Sequence, residues 1–340
     1  MTPYLLTICI ATYNRAAYLP DTLNSIVGQI DAFDDVEVLV VDGNSTDGTE
    51  SVVNRFQLKC RNLHYLKLEE KGGVDKDFDI AVNRSSGLYC WLFTDDDLLR
   101  DDAVSKVRDA IILKGAGLIV VNSEICDHNI QRVLKKNALS IECDVETDLS
   151  SAGRERLFKL CATYMTFIGS IVIKRVCWVE SPRDMFYGTR FIHVGVISTL
   201  SDKTKVLVLA EPVIRIRLGN AEWNNLSFKV WTQLWPNLIW SLSNLSPDCK
   251  KAICLFEPWK RLSFLLWERA LGAYSRHEYS AFLSLKPISI YKAMAFLCAY
   301  LPRRIPRLIF YIYATFRRDE LILYILGDGS KSKNAWLSEA

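Results

Sequence analysis

Thr94-Asp95-Asp96-Asp97 sets three consecutive carboxylates directly after the apolar run Tyr89 to Phe93. Like charges at that spacing repel, and burial at a strand end raises the cost. A divalent cation removes it. Mg²⁺ and Mn²⁺ take oxygen ligands, usually one or two carboxylates completed by phosphate oxygens and water, so the triplet suits a diphosphate-bearing ligand better than a closed protein cage. An ion held there would neutralise charge developing on a diphosphate leaving group. The alternative use of the same residues is a solvated acidic turn.

Two further polar clusters follow apolar runs in the same way. Thr12-Tyr13-Asn14-Arg15 comes after Leu6 to Ala11, and Asp42 to Thr46 after Val36 to Val41. At a strand terminus the first cluster offers backbone amides and polar side chains to an anionic or heterocyclic ligand. In the second, Asp42 can accept hydrogen bonds from a base or ribose, Gly43 and Gly48 permit tight turning, and Asp47 or Thr46 can cap the next helix. Asp42 and Asp47 can equally make an Asx turn and a cap with no ligand at all.

These clusters need a scaffold that brings strand ends together. Up to about residue 125, β-rich runs (Leu6 to Ala11, Val36 to Val41, Leu63 to Leu68, Tyr89 to Phe93, Gly117 to Val121) alternate with helical patterns at Ala17 to Gln29, Gly48 to Gln57, Phe78 to Ser86 and Asp102 to Leu113. Alternation of this kind predicts an α/β fold with a mostly parallel sheet flanked by crossover helices. Such sheets bind ligands outside the carboxyl ends of their strands, where all three clusters lie. Further strands are expected at Phe167 to Ile173, Val206 to Leu209 and Val213 to Arg217. Beyond Trp223 the pattern turns to long apolar, aromatic helices. The expected organisation is a catalytic domain over 1–222, a helical region over 223–326 and a loose tail over 327–340.

Composition excludes several classes. A chain of 340 residues, half of them hydrophobic, builds a large core, and a net charge of +3 from 42 basic and 39 acidic residues is too balanced for binding nucleic acid through its phosphates. The ten cysteines form no CxxC pair, which predicts reduced, mostly buried thiols in a cytosolic protein. The start MTPYLLTICIATYNR lacks the marks of a signal peptide, and no stretch of eighteen uncharged apolar residues predicts a membrane span. GxSxG, P-loop and GxGxxG patterns are absent.

TICIATYNR, VEVLVVDGNSTDGT and WLFTDDDLL, in this order and spacing, resemble the nucleotide and metal motifs of family 2 glycosyltransferases over roughly residues 4 to 220. The resemblance implies a GT-A (Rossmann-like) fold, a nucleotide-sugar donor and Mn²⁺ or Mg²⁺. It places Thr12 and Tyr13 at base-contacting positions and Asp42 at the nucleotide-binding aspartate. Asp95 and Asp96 fall on the DxD segment, Asp95 on the donor side and Asp96 and Asp97 as the metal residues; Thr94 stands where many members carry the first Asp. The longer stretch KGGVDKDFDIAVNRSSGLYCWLFTDDDLL resembles abequosyltransferase-like enzymes of bacterial O-antigen assembly, which implies a 3,6-dideoxyhexose on a CDP-sugar and a lipid-linked oligosaccharide acceptor. Arg15, Lys76 and Asp79 then join the donor side, with Lys76 able to meet phosphate.

The acceptor side is less marked. Many family members place an acidic pair in the later half of the domain, but FYGTRFIHVGVISTL has none; His193 stands near that position as a base, metal ligand or diphosphate contact, with Asp184 as the second candidate base. A histidine between Ile192 and Val194 also suits a hydrogen-bonded core site. The family is generally inverting, whereas an α-linked dideoxyhexose from an α-donor implies retention. Gly169, Ser170, Arg217 and Trp223 are the expected acceptor contacts, against a plain reading as turns and a core tryptophan. From Lys286 to Arg318 seven basic residues and no acidic one are interleaved with aromatics, a pattern suited to lying in an anionic membrane surface. The resulting expectation is a glycosyltransferase peripheral to the inner face of the bacterial cytoplasmic membrane; the alternative is a non-catalytic membrane-associated carbohydrate- or nucleotide-binding module.

Overall fold

The structure is a computed structural model that describes residues 4–220 and 226–327. They divide into two compact units: up to Ile125, Lys136–Ile216 and Leu242–Cys249 in the first, the remainder in the second. In the first unit, β1 (Leu6–Thr12), α1 (Leu19–Ile30), β2 (Val36–Asp42), α2 (Thr49–Gln57), β3 (Leu63–Lys67), α3 (Val74–Arg84) and β4 (Tyr89–Phe93) alternate. Further along the chain come β5 (Leu98–Leu99), α4 (Ala103–Lys114), β6 (Leu118–Cys126), β7 (Val133–Lys135), β8 (Val145–Asp148) and α5 (Ser151–Cys161), with α6 (Arg175–Val179) after the ninth strand. Strands β3, β2, β1 and β4 are parallel neighbours in that order, which is the mostly parallel core expected from the alternation.

Register decides what meets at the sheet edge. Thr12 pairs with Asp42, and Ile10 with Phe93, so the chain leaves β1, β2 and β4 at one level. Below that level the strands are sealed: Ile8, Ile10, Val38, Val40, Trp91 and Phe93 are buried in one hydrophobic cluster with Leu19, Leu23 and Ile26 of α1. Apolar residues at i, i+4 and i+7 give α1 its inward stripe, and Pro20 in its first turn presets the backbone.

The later half of the sheet is antiparallel. β9 (Ile171–Lys174) pairs antiparallel with both β4 and β6, and β10 (Lys205–Arg217) antiparallel with β5. Two expected boundaries shift. The run Phe167 to Ile173 divides into a 3₁₀ turn, Ile168–Ser170, and the strand, because Gly169 lies under the Phe167 ring, where a Cβ would approach it to 2.4 Å. Val206 to Leu209 and Val213 to Arg217 are one strand running through Pro212. Helix α3 also starts four residues before Phe78, since Gly73 at φ 85° turns the chain and its carbonyl accepts the Asp77 N–H. The ten cysteines are free thiols, seven of them buried.

The second unit is helical. Phe228, Trp259, Leu265, Tyr274 and Leu283 form its core, with Phe228 stacked on Tyr274 at 4.6 Å. Of the basic residues between Lys286 and Arg318, several cap carbonyls at helix ends: Arg303 donates to Ala270 O and Leu271 O, Arg307 to Leu326 O, and Lys292 to Ser284 O. Among the described residues no helix is long and apolar enough to cross a membrane.

Candidate active site

The loop after β1 and the loop after β2 lock together. Asn14, at φ 54°, gives its N–H to Ser45 Oγ (2.8 Å); Arg15 N–H goes to Thr49 Oγ1 (3.0 Å) and Ala16 N–H to Asp47 Oδ2 (3.1 Å). Asn14 Oδ1 in turn accepts the Thr46 N–H. The backbone amides expected to meet a ligand are therefore occupied by the neighbouring loop, and side chains must make the site. Asp42 is fully buried: Oδ1 accepts the Ser45 N–H and hydroxyl, and Oδ2 the Tyr65 hydroxyl at 2.6 Å. Both plain roles, an Asx-type turn at Asp42 and a helix start held by Asp47 on Thr49, are realised. Oδ1 is thereby filled by two donors, and Oδ2, with one, keeps capacity for a further donor. Beside it, Thr12 Oγ1 is buried without a hydrogen-bond partner among the described residues, an unsatisfied polar group at the strand end that a bound base or ribose would pair.

Sequence reading did not single out Tyr65 or the pairing of Lys71 with Tyr13. Lys71 Nζ stands 3.6 Å from the centroid of the Tyr13 ring. Asp77 closes this corner: Oδ1 accepts the Gly72 N–H (3.1 Å), and a Cβ on Gly43 would come within 3.3 Å of Oδ2. Burial pushes the Asp77 carboxyl up to about 6. Lys76 is exposed on the first turn of α3. Asp79 turns to the domain interior, where Trp178 Nε1 (2.8 Å), Tyr187 OH (2.7 Å) and Arg183 (2.7 Å) occupy both oxygens; it is a strut between α3 and the segment after β9 rather than a donor contact. Asp75 likewise accepts the N–H groups of Arg190 and Ile192, holding the start of α7 (Ile192–Thr199).

Asp95, Asp96 and Asp97 are all buried at the β4 exit. Arg15 reaches the first two, with Nε 3.4 Å from Asp95 Oδ1 and Nη2 3.0 Å from Asp96 Oδ2. Asp97 accepts the Thr94 hydroxyl on Oδ2, and its carbonyl accepts the Thr22 hydroxyl. Among the described residues no three acidic, His or Cys side chains form a metal cage. The donor set is nevertheless all oxygen, buried, and already compensated by a cation. That fits a Mg²⁺ or Mn²⁺ ion completed by diphosphate and water, which Asp96 would hold together with Asp95, its partner on Arg15; the expected second ligand, Asp97, has Oδ2 on the Thr94 hydroxyl.

His193 is the second residue of α7, in its first turn, and is buried, its Nε2 2.6 Å from Met165 O. A carbonyl only accepts, so Nε2 carries the proton and Nδ1 is a buried lone pair without a partner among the described residues. Burial lowers its pKa to about 4. Since the unfolded side chain titrates near 6.5, the unfolded state binds the extra proton between those values, and stability falls as pH drops through that window. The expected loss at pH 5 is about 2 kcal/mol relative to pH 7.5. Urea unfolding of wild type and His193→Gln at both pH values checks it: the variant lacks this loss. Asp77 titrates with the opposite sign, so the difference between the proteins carries the effect; equal pH dependence in both would remove His193 as its source.

Asp184 is exposed on a short 3₁₀ turn. Gly169 and Ser170 are internal: Gly169 O accepts Trp91 Nε1, and the Ser170 hydroxyl donates to Phe167 O. Arg217 belongs to the second unit and donates to His128 O. Trp223 lies outside the described residues.

Comparison with known proteins places this geometry. The model of Glycosyl transferase family 2 matches residues 7–170. An abequosyltransferase of Salmonella typhimurium is 26% identical over 224 residues, 64% of this chain and 67% of that enzyme. Two solved structures share the fold. S. aureus TarS (residues 1–349, with UDP-GlcNAc) has a TM-score of 0.55 at 16% identity, covering 93% of this chain and 88% of that one. A mannosyltransferase of Pyrobaculum calidifontis, with GDP-Man and Mn²⁺, has a TM-score of 0.52 at 18% identity, covering 96% and 88%. Residues 7–170, from the first strand through the Asp95–Asp97 turn to the Gly169 turn, therefore constitute a family 2 glycosyltransferase domain on a GT-A fold.

Proposed function

We propose that this protein transfers a sugar, a 3,6-dideoxyhexose on CDP being the favoured donor, to a polyprenyl-diphosphate-linked oligosaccharide in bacterial surface-polysaccharide assembly. The observation that carries the reading is the convergence of Thr12, Asp42 and the Asp95–Asp96 pair at the ends of three parallel strands, within reach of Arg15. Likeness to the Salmonella abequosyltransferase supports the choice of sugar. Tyr13 and Thr12 hold the base, Asp42 the nucleoside, and Arg15 the diphosphate. Asp96, with Asp95, holds a divalent ion that offsets charge on the departing diphosphate. His193, through its unprotonated Nδ1, is the group proposed to orient the acceptor side.

The second unit supplies the route to a lipid-linked acceptor. On helix Arg304–Arg317, residues Ile305, Leu308, Ile309, Ile312 and Phe316 fall at helical spacing and are exposed. Only Pro306 and Ala314 of this helix are buried. Exposed Arg304, Arg317 and Arg318 flank the stripe. An apolar stripe with basic ends fits a helix lying in the interface of an anionic membrane.

Thermal unfolding with Mn²⁺ and a panel of CDP, UDP, GDP and dTDP tests the donor. Binding at a hundredfold excess over Kd stabilises by about 2.7 kcal/mol, a rise of several °C for CDP. Stabilisation by UDP or GDP with none by CDP would overturn the dideoxyhexose reading and leave a glycosyltransferase of another donor.

A further inference from the structure

Arg15 occupies the carboxylates that a divalent ion would use. Its main chain is pinned independently: the N–H donates to Thr49 Oγ1, and its carbonyl accepts the N–H groups of Tyr18 and Leu19 at the start of α1. Only the side chain is left to move. The guanidinium spans Asp95 and Asp96, and these three side chains are only 12–13% exposed, so the pair is neutralised away from bulk water. The Tyr18 ring lies 5.4 Å from the guanidinium carbon and offers an aromatic face beside the present position.

A guanidinium and a dication cannot share Asp96 Oδ2 at low cost, because both need the same lone pairs and repel each other in a poorly solvated site. We propose that Arg15 is a resident counter-ion that competes with the divalent ion for Asp96, and that the donor diphosphate completes the exchange by receiving the guanidinium. This rests on the metal-dependent reading above. Without a ligand, Arg15 keeps two buried carboxylates from destabilising the domain. With donor present, the diphosphate provides bidentate acceptors for the displaced fork, and the ion takes over the carboxylates. Metal and donor then bind cooperatively through one side chain, and by linkage each strengthens the other equally.

Mn²⁺ binding measured by electron paramagnetic resonance on the full chain, with and without CDP, tests the exchange independently of turnover. Wild type is expected to bind Mn²⁺ weakly alone and about tenfold or more tighter with CDP. Arg15→Gln, which has no competing charge, is expected to bind Mn²⁺ alone about tenfold tighter than wild type and to gain less than about threefold from CDP. Arg15→Lys, which keeps the charge as a single point, falls between them, and it carries the comparison if the glutamine variant fails to fold in EDTA. Wild-type binding with CDP, combined with an Arg15→Gln affinity no tighter than wild type in its absence, overturns the exchange and leaves the metal site standing. No Mn²⁺ on either protein under any condition overturns the metal site and the exchange together.

Discussion

Asp96→Asn is expected to lower turnover by about 10³-fold or more while leaving the folded domain intact. Asparagine keeps the size of the side chain and one oxygen but removes the charge that makes it a ligand for a hard cation. In a water-poor site the loss of one preorganised charge at a developing anion costs roughly 3–4 kcal/mol of barrier, as seen for single oxyanion donors, and loss of a metal adds to it. Stability should hold or rise slightly, because Arg15 can still pair with Asp95, 3.4 Å from its Nε, and one of three adjacent buried charges is gone. The measurement is sugar release or transfer from the donor selected by the nucleotide panel, over a range of Mn²⁺ concentrations, beside a thermal unfolding curve. Asp97→Asn should be milder, since Asp97 already has Oδ2 on the Thr94 hydroxyl. Near-normal turnover in Asp96→Asn, with Asp97→Asn inactive, would move the ligand one residue along the chain.

The second large effect concerns the surface of the helical unit. Leu308→Asp combined with Phe316→Asp is expected to reduce binding of the full chain to anionic vesicles by about 10²-fold. The two side chains are 59% and 84% exposed, so neither supports the core and the fold should tolerate both changes. Each buries roughly 1.5–3 kcal/mol of apolar surface when it enters an interface, and the added negative charges oppose an anionic headgroup layer. Flotation on vesicles of mixed phosphatidylglycerol and phosphatidylethanolamine reads the result. Undiminished flotation of a folded double variant would assign membrane attachment elsewhere or nowhere. Turnover on a water-soluble acceptor should be spared, which separates this surface from the catalytic unit.

How much of this was legible beforehand follows from the range of the interactions involved. Alternation of β-rich runs with helical periodicity is a local property, and it sufficed for β1 to β4, for their parallel direction, and for Asp42 and Asp95–Asp97 as the polar residues at their carboxyl ends. Strand boundaries near β9 were less legible. A glycine at 169 signals a close approach without saying by what; in the fold the Phe167 ring makes it, and the Trp91 indole holds the carbonyl.

Side-chain commitments were legible only in part, for a physical reason. A carboxylate declares its chemistry by type, but whether its oxygens are available depends on partners brought from distant parts of the chain. Asp42 and Asp79 are both acidic residues in polar-looking surroundings. The fold gives Asp42 a place beside the unpartnered Thr12 hydroxyl and gives Asp79 to Trp178, Tyr187 and Arg183, roughly a hundred residues away. His193 is a similar case: its type suggests a base, and burial against Met165 O decides its tautomer and its low pKa. By itself, then, the sequence determined the α/β core, the oxygen-rich site at its strand ends and the glycosyltransferase class those motifs belong to. Tertiary structure decided which carboxylates remain open, that Arg15 lies on two of them, and that the apolar stripe of Arg304–Arg317 faces outward, because each depends on contacts that local pattern does not encode.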